Sequence, residues 1–261
     1  MKAGLCLAVL AGLWAASSQG REIRLCMSER EFLPINSPAF EAPGQYLVRR
    51  AIESQGDKAL FIGLPWRRCV DGVRHGDYDG ALGMVATESF LTFMRFPEAN
   101  GQPDSSKALG GLFYVAVRLI GAGADWDGEH FRGLRQPAIY NAPSLVLADK
   151  MHRLGAGNPN TSLSEEQMLS MLVAGRADIA IGRRDVFAAL LAGDTYRGKI
   201  EILPTPFVDA DSYLAFREVF ADGSPGYAER VWDEIGHLKA ASDWPDTQQR
   251  LLTDRKPFKP S

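Results

Sequence analysis

The chain has 261 residues, 46% of them hydrophobic and 23% charged, with a formal net charge of −3. That length supports two small lobes, each with its own core. The charge balance gives no electrostatic case for nucleic acid and none for a basic helix lying on a membrane surface.

Residues 1–20 read as a signal peptide. Lys2 supplies the positive start, and residues 5–16 form an apolar run too short to span a bilayer comfortably. Ser18-Gln19-Gly20 offers small residues where a signal peptidase reads, so cleavage is expected between Gly20 and Arg21. Of the three cysteines, Cys6 leaves with the leader. Cys26 and Cys69 remain, and an even pair in an oxidising compartment suggests one disulfide. Two buried thiols are the alternative.

Residues 22–27 alternate apolar and charged and read as the first strand. Residues 28–44 carry Pro34, Pro38 and Pro43, which exclude long regular structure. A helix is expected over 46–54 and a second strand over 58–63. Pro65 suits the start of the next helix, on which Val70 and Val73 share a face. Gly76 can end that helix in the left-handed conformation. Residues 81–85 form an apolar run fit for a parallel strand covered on both faces. The alternation of strand and helix predicts an α/β, doubly wound sheet. In a strand order of 2-1-3, Cys26 and Cys69 can approach each other.

Residues 87–97 follow the third strand and belong at the carboxyl ends of the strands, where ligands enter such sheets. Residues 98–107 read as a surface excursion. Residues 113–120 read as a strand crossing into a second lobe, and 126–134 as a connection. A short strand over 138–140, a turn at Asn141 and a helix over 144–154 come next. Ser164 to Gln167 is a capping-box pattern, behind which Met168, Met171 and Leu172 form a core stripe. A strand over 178–182 and a helix over 185–191 follow. Residues 200–206 read as the return crossing, 213–216 as a strand back in the first lobe, 227–240 as an amphipathic closing helix and 256–261 as a loose tail.

One pattern occurs twice. Gly76-x-x-Asp79-x-Ala81-x-Gly83 matches Gly175-x-x-Asp178-x-Ala180-x-Gly182. Either Gly–Asp turns coincide by chance, or two lobes share one plan with a cleft between them.

The order of these features resembles the bacterial extracellular solute-binding proteins typified by polar amino-acid binders of uptake transporters. It comprises an exported leader, Pro65-Trp66-Arg67-Arg68-Cys69, Gly-x-x-Asp-Gly-Ala, a threonine loop ending in Phe96-Pro97, a hydrophobic crossing and the Gly175-Arg176-Ala177-Asp178-Ile179-Ala180 copy. The likeness covers residues 22–252, and Pro-Trp-Arg-Arg-Cys resembles a divergent subgroup most closely. It implies a type II periplasmic-binding fold: two doubly wound α/β lobes joined by two crossing strands, closing on a ligand like a hinged trap. Lobe one would comprise residues 21–113 and 205–261, and lobe two residues 114–204. The protein would be periplasmic and monomeric, with no cofactor and no metal.

Departures from the family pattern bear on the ligand. Phe90 stands where amino-acid binders place an arginine that clamps the ligand carboxylate. Arg183 stands where an acidic residue holds the ammonium, the nearest acid being Asp185, and residues 141–144 replace a Gly-Thr-Thr-like turn. A conventionally held free amino acid is therefore not the expected ligand.

The residues expected at the ligand are Glu29, Trp66, Arg67, Thr87, Ser89, Phe90, Tyr114, Asn141, Ser144, Arg183 and Asp185. Trp66 can stack on a ligand or pack the lobe edge. Arg67 can pair with a ligand anion or with Asp71. Thr87, Glu88 and Ser89 can offer N–H groups to an anion, or Thr87 can simply cap a helix. Phe90 can floor an apolar pocket or merely pack. Arg183 and Arg184 suggest an acidic ligand group, or a solvated helix start.

The four histidines lack metal-ligand spacing, and neither a nucleophile elbow nor a phosphate loop appears. The function expected is capture of a small molecule for a membrane permease. A ligand-sensing partner of a membrane sensor or exported enzyme is the alternative, and a periplasmic lyase a more distant one.

Overall fold

The computed structural model describes residues 20–140, 145–155, 157–159 and 163–257. The expected leader, Asn141, Ser144 and the end of the tail lie outside these residues. The elements run β1 (Glu22–Ser28), α1 (Pro43–Glu53), β2 (Lys58–Leu64), α2 (Trp66–His75), β3 (Gly80–Met84), α3 (Glu88–Leu91), β4 (Met94–Arg95), β5 (Glu98–Ala99), β6 (Gln102–Pro103) and β7 (Gly110–Leu119). They continue with β8 (Asp125–Trp126), β9 (Phe131–Arg132), β10 (Ala138–Tyr140), α4 (Leu145–Leu154), β11 (Gly157–Pro159), α5 (Glu165–Val173), β12 (Ala180–Arg183) and α6 (Arg184–Ala192). The last are β13 (Ile200–Arg217), α7 (Glu218–Gly223), α8 (Tyr227–Ala240) and α9 (Trp244–Asp254).

The main sheet runs β11-β10-β12-β7-β13-β3-β1-β2, with β4 also paired to β13. Two parallel triplets, β2-β1-β3 and β11-β10-β12, flank the antiparallel pair β7 and β13. Each triplet has the 2-1-3 order, and each turns its third strand to a crossing strand: β3 to β13, β12 to β7. Two doubly wound α/β lobes joined by two crossing strands follow from this topology.

Alternation along the strands separates the cores. Ile23, Leu25 and Met27 face one way, toward α1 and α8, with Leu47, Ile52, Phe216 and Trp232. Cys26 and Ala81 face the other way, toward α2, with Cys69, Val70 and Val73. In the second lobe, Val117 and Ile139 pack on Met168, Leu172 and Phe187 of α5 and α6. Trp126, Phe207 and Ile181 form the opposite layer with Leu147 of α4.

The repeated turn does one physical job twice. Gly76 and Gly175 both take positive φ, 92° and 68°, at the ends of α2 and α5. The Asp79 carboxylate accepts the backbone N–H of Arg24 at 2.8 Å. The Asp178 carboxylate accepts those of Arg135 and Gln136. Each aspartate thus ties the segment entering its own strand to the central strand of its triplet, in the first lobe within β1 and in the second at the residues leading into β10.

Cys26 and Cys69 form a disulfide, with Cα atoms 5.5 Å apart and both residues fully buried. The two-thiol alternative does not hold.

Several boundaries differ from the expectation. α1 starts at Pro43 because proline suits a first helical position, and Gln45 Oε1 accepts the N–H groups of Ser37 and Ala42 around that start. The expected crossing over 200–206 and strand over 213–216 form one strand, β13. Register shifts at Ile202/Pro206 and Pro206/Val208 absorb prolines that cannot donate to a ladder. The expected excursion and connection hold small hairpins, β5-β6 and β8-β9. β11, α7 and α9 are additions; Trp244 of α9 stacks on Tyr46 at 6.3 Å.

Candidate functional site

A cavity of about 270 Å³ opens at the carboxyl ends of β1, β3 and β12. Trp66, Leu82, Gly83, Val85 and Phe90 line it from the side of β3 and α2. Leu112, Tyr114, Val146, Glu165 and Arg183 line it from the side of β7 and β12. Ser28, Arg30, Glu31, Phe32 and Asn36, from the proline-bearing loop, complete it.

Local structure explains each placement. Trp66 is the first residue of α2, just past Pro65, and so projects at a strand-to-helix junction. Cys69 lies one turn further on and is bonded to Cys26, two residues before Ser28. The disulfide therefore ties two parts of the cavity wall together. The side-chain amide of buried Asn36 donates to Ser28 O at 2.9 Å and Arg30 O at 3.1 Å, folding the loop back on the end of β1. Phe90 is buried and packs edge-on to Phe93.

Arg183 ends β12, directly opposite Tyr114 in the ladder with β7. Its guanidinium lies 5.0 Å from the Phe32 ring, a contact that spans the two sides of the cavity. Its Nε donates to Asp185 Oδ1 at 3.1 Å and its Nη2 to Oδ2. Arg183 thus reaches the cavity with its charge already matched.

The cavity brings together four of the residues expected at the ligand: Trp66, Phe90, Tyr114 and Arg183. Asp185 stands behind Arg183 rather than in the lining. Arg67 and Glu29 are exposed outside it, although Arg30 and Glu31, beside Glu29, belong to it. The Thr87 and Ser89 hydroxyls bond each other at 3.0 Å, and the Thr87 carbonyl accepts from Phe90 and Leu91 at the start of α3. Sequence reasoning missed Phe32, Asn36 and Glu165. Glu165 carried a signal, being an acid at the head of a helix, but that signal has an ordinary meaning in helix starts.

Two other hollows offer less chemistry. One beside Arg135 and Asp178 has its cation paired to its carboxylate. In the other, Lys107 is paired with Asp104 and Asp233, and Arg95 with Glu218. Among the described residues, no group of three His, Cys, Asp or Glu side chains is placed to hold a metal ion. Among them, too, no helix is long and apolar enough to cross a membrane.

No family model and no curated protein matches the chain. Solved structures do share its fold. A histidine kinase sensor domain similar to periplasmic binding proteins aligns at a TM-score of 0.62 and 13% identity, over 90% of this chain and 97% of its own. A Salmonella typhimurium periplasmic binding protein with high arginine specificity aligns at 0.60 and 12%, over 90% and 100%. A His/Glu/Gln/Arg/opine family-binding protein from Silicibacter pomeroyi, in complex with lysine, aligns at 0.59 and 14%, over 91% and 99%. At these identities the likeness concerns the fold.

Proposed function

We propose that the chain is an exported, periplasmic solute-binding protein that captures a small molecule between its two lobes and delivers it to a membrane permease. One observation carries the reading: a single cavity at the strand ends takes its walls from both triplets of the sheet. A ligand touching both sides favours the closed arrangement over the open one, which is how binding would become closure. Lobe one would comprise residues 21–113 and 205–261, and lobe two residues 114–204. The disulfide accords with an oxidising compartment. The chain acts as a monomeric binder rather than a catalyst and calls for no cofactor.

The ligand is not a conventionally held amino acid. The position of the carboxylate clamp holds Phe90, a buried ring. Trp66, Phe90, Tyr114 and Arg183 are the proposed contacts.

A thermal-shift screen of amino acids, polyamines, organic acids and aromatic compounds tests this. A ligand at a hundred times its Kd stabilises by about 2.7 kcal/mol, or roughly 5–10 °C for a chain of this size. Trp66→Ala should weaken the hit by about tenfold or more, and small-angle scattering should show compaction on binding. Tight binding that ignores Trp66 and leaves the radius of gyration unchanged would sink the reading.

Sensing is the second reading, supported by the histidine kinase sensor domain that shares the fold. Co-purification of a permease separates the first reading from co-purification of a membrane kinase.

A further inference from the structure

We infer that the cleft takes an organic ammonium with an apolar body, and that Glu165 is the counter-ion. The inference rests on the cleft reading above and adds a binding residue and a ligand class to it.

The charges in the lining are not equivalent. Arg183 is bonded to Asp185 through two nitrogens and lies over Phe32. Arg30 and Glu31 are exposed, and Glu31 accepts a long hydrogen bond from Ser37 Oγ at 3.4 Å. Glu165 differs from all three. It is half-buried, and its stem lies against the backbone just before Arg183: a Cβ placed on Gly182 would come within 3.2 Å of Glu165 Cγ. Among the described residues its carboxylate has no hydrogen-bond or ion-pair partner.

Nor does α5 need this carboxylate to begin. Ser164 Oγ accepts from the Gln167 N–H at 3.2 Å, and Gln167 Oε1 accepts from the Ser164 N–H at 2.8 Å. The cap is complete without Glu165. Glu165 lines a cavity walled by Phe32, Trp66, Phe90 and Tyr114. Closing the lobes over an unmatched carboxylate strips its water at high cost unless a cation arrives with the ligand. Ring faces favour the same sign of charge.

Three probes with one phenyl body and different charge test the inference: phenethylamine, phenylalanine and hydrocinnamate. Calorimetry and thermal shift on the intact, oxidised chain should rank them in that order. Glu165→Gln should weaken phenethylamine by about tenfold or more, whereas Glu166→Gln, an exposed acid in the same helical turn, should leave it unchanged. That control separates a ligand contact from an effect on the helix dipole. No shift with phenethylamine, or equal losses in the two variants, overturns the inference. Tighter binding of hydrocinnamate that still depends on Trp66 overturns it while the cleft reading stands. Binding of any probe that ignores both Trp66 and Glu165 removes the cleft reading as well.

Discussion

Tyr213 shows how a buried hydroxyl contributes to behaviour at high pH, where Tyr227, pushed up by burial and by Asp57, acts in the same direction. Its ring is 2% exposed and sits edge-on to Phe96 at 6.2 Å. Burial, and then the nearby Asp211 carboxylate, push its phenol up to about 12 from an ordinary 10.0. Between those values the folded chain keeps a proton that the unfolded chain releases. The contribution of this phenol to stability is therefore constant below about pH 10 and is lost as pH rises toward 12, by about 2–3 kcal/mol in all. Urea unfolding at about pH 9 and about pH 11 should show a steep loss in the native chain and a shallower one in Tyr213→Phe. Equal slopes would contradict this account. The same scale shows what the sequence discloses about the site. Trp66, Phe90 and Arg183 are legible because a strand-to-helix alternation puts residues after a strand at the mouth of the sheet. Phe32 and Asn36 are not, because a loop punctuated by prolines has no period from which to read a direction. Glu165 is hidden in plain view, since an acid in the first turn of a helix is what any helix prefers.

At the scale of elements, the twin turns after α2 and α5 separate two costs that usually arrive together. Gly175 has φ of 68° with open space where a side chain would go. Gly175→Ala should therefore cost only the left-handed penalty, about 1–2 kcal/mol. Gly76 has φ of 92°, and a Cβ there would meet the Arg217 guanidinium at 3.2 Å. Gly76→Ala should cost more than its counterpart, as chemical denaturation of both variants would reveal; the reverse order would refute the assignment. This recurrence is readable in the sequence because its glycine and aspartate meet a backbone requirement in each lobe. So is the helix after Ser164, whose capping pair is local. The unity of β13 is not. Pro204 and Pro206 suggest a break, and only bulges against a partner distant in sequence allow the strand to continue. α9 escapes notice for a related reason: its packing partner, Tyr46, lies in a helix far back in the chain.

Over the whole molecule, the first triplet is legible as an alternation of strands and helices, whereas β11 of the second, a Gly-Asn-Pro segment with no apolar period, is not, and the joining through β7 and β13 needs long-range pairing that no local pattern carries. The disulfide acts at this scale, since it closes a segment with a sequence separation of 43 residues. On chain-entropy grounds that closure contributes about 4 kcal/mol, so reduction should lower the melting temperature by roughly 8–16 °C. A scan with and without reductant measures it, and superimposable curves would disprove the estimate. Because the bridge anchors Trp66 one turn from Cys69 and Ser28 two residues from Cys26, an unbridged preparation would also lose definition at the wall where ligand is expected. Recombinant material harvested from a thiol-rich cytosol would then yield false negatives in any ligand screen, and the choice of production host becomes part of the binding measurement.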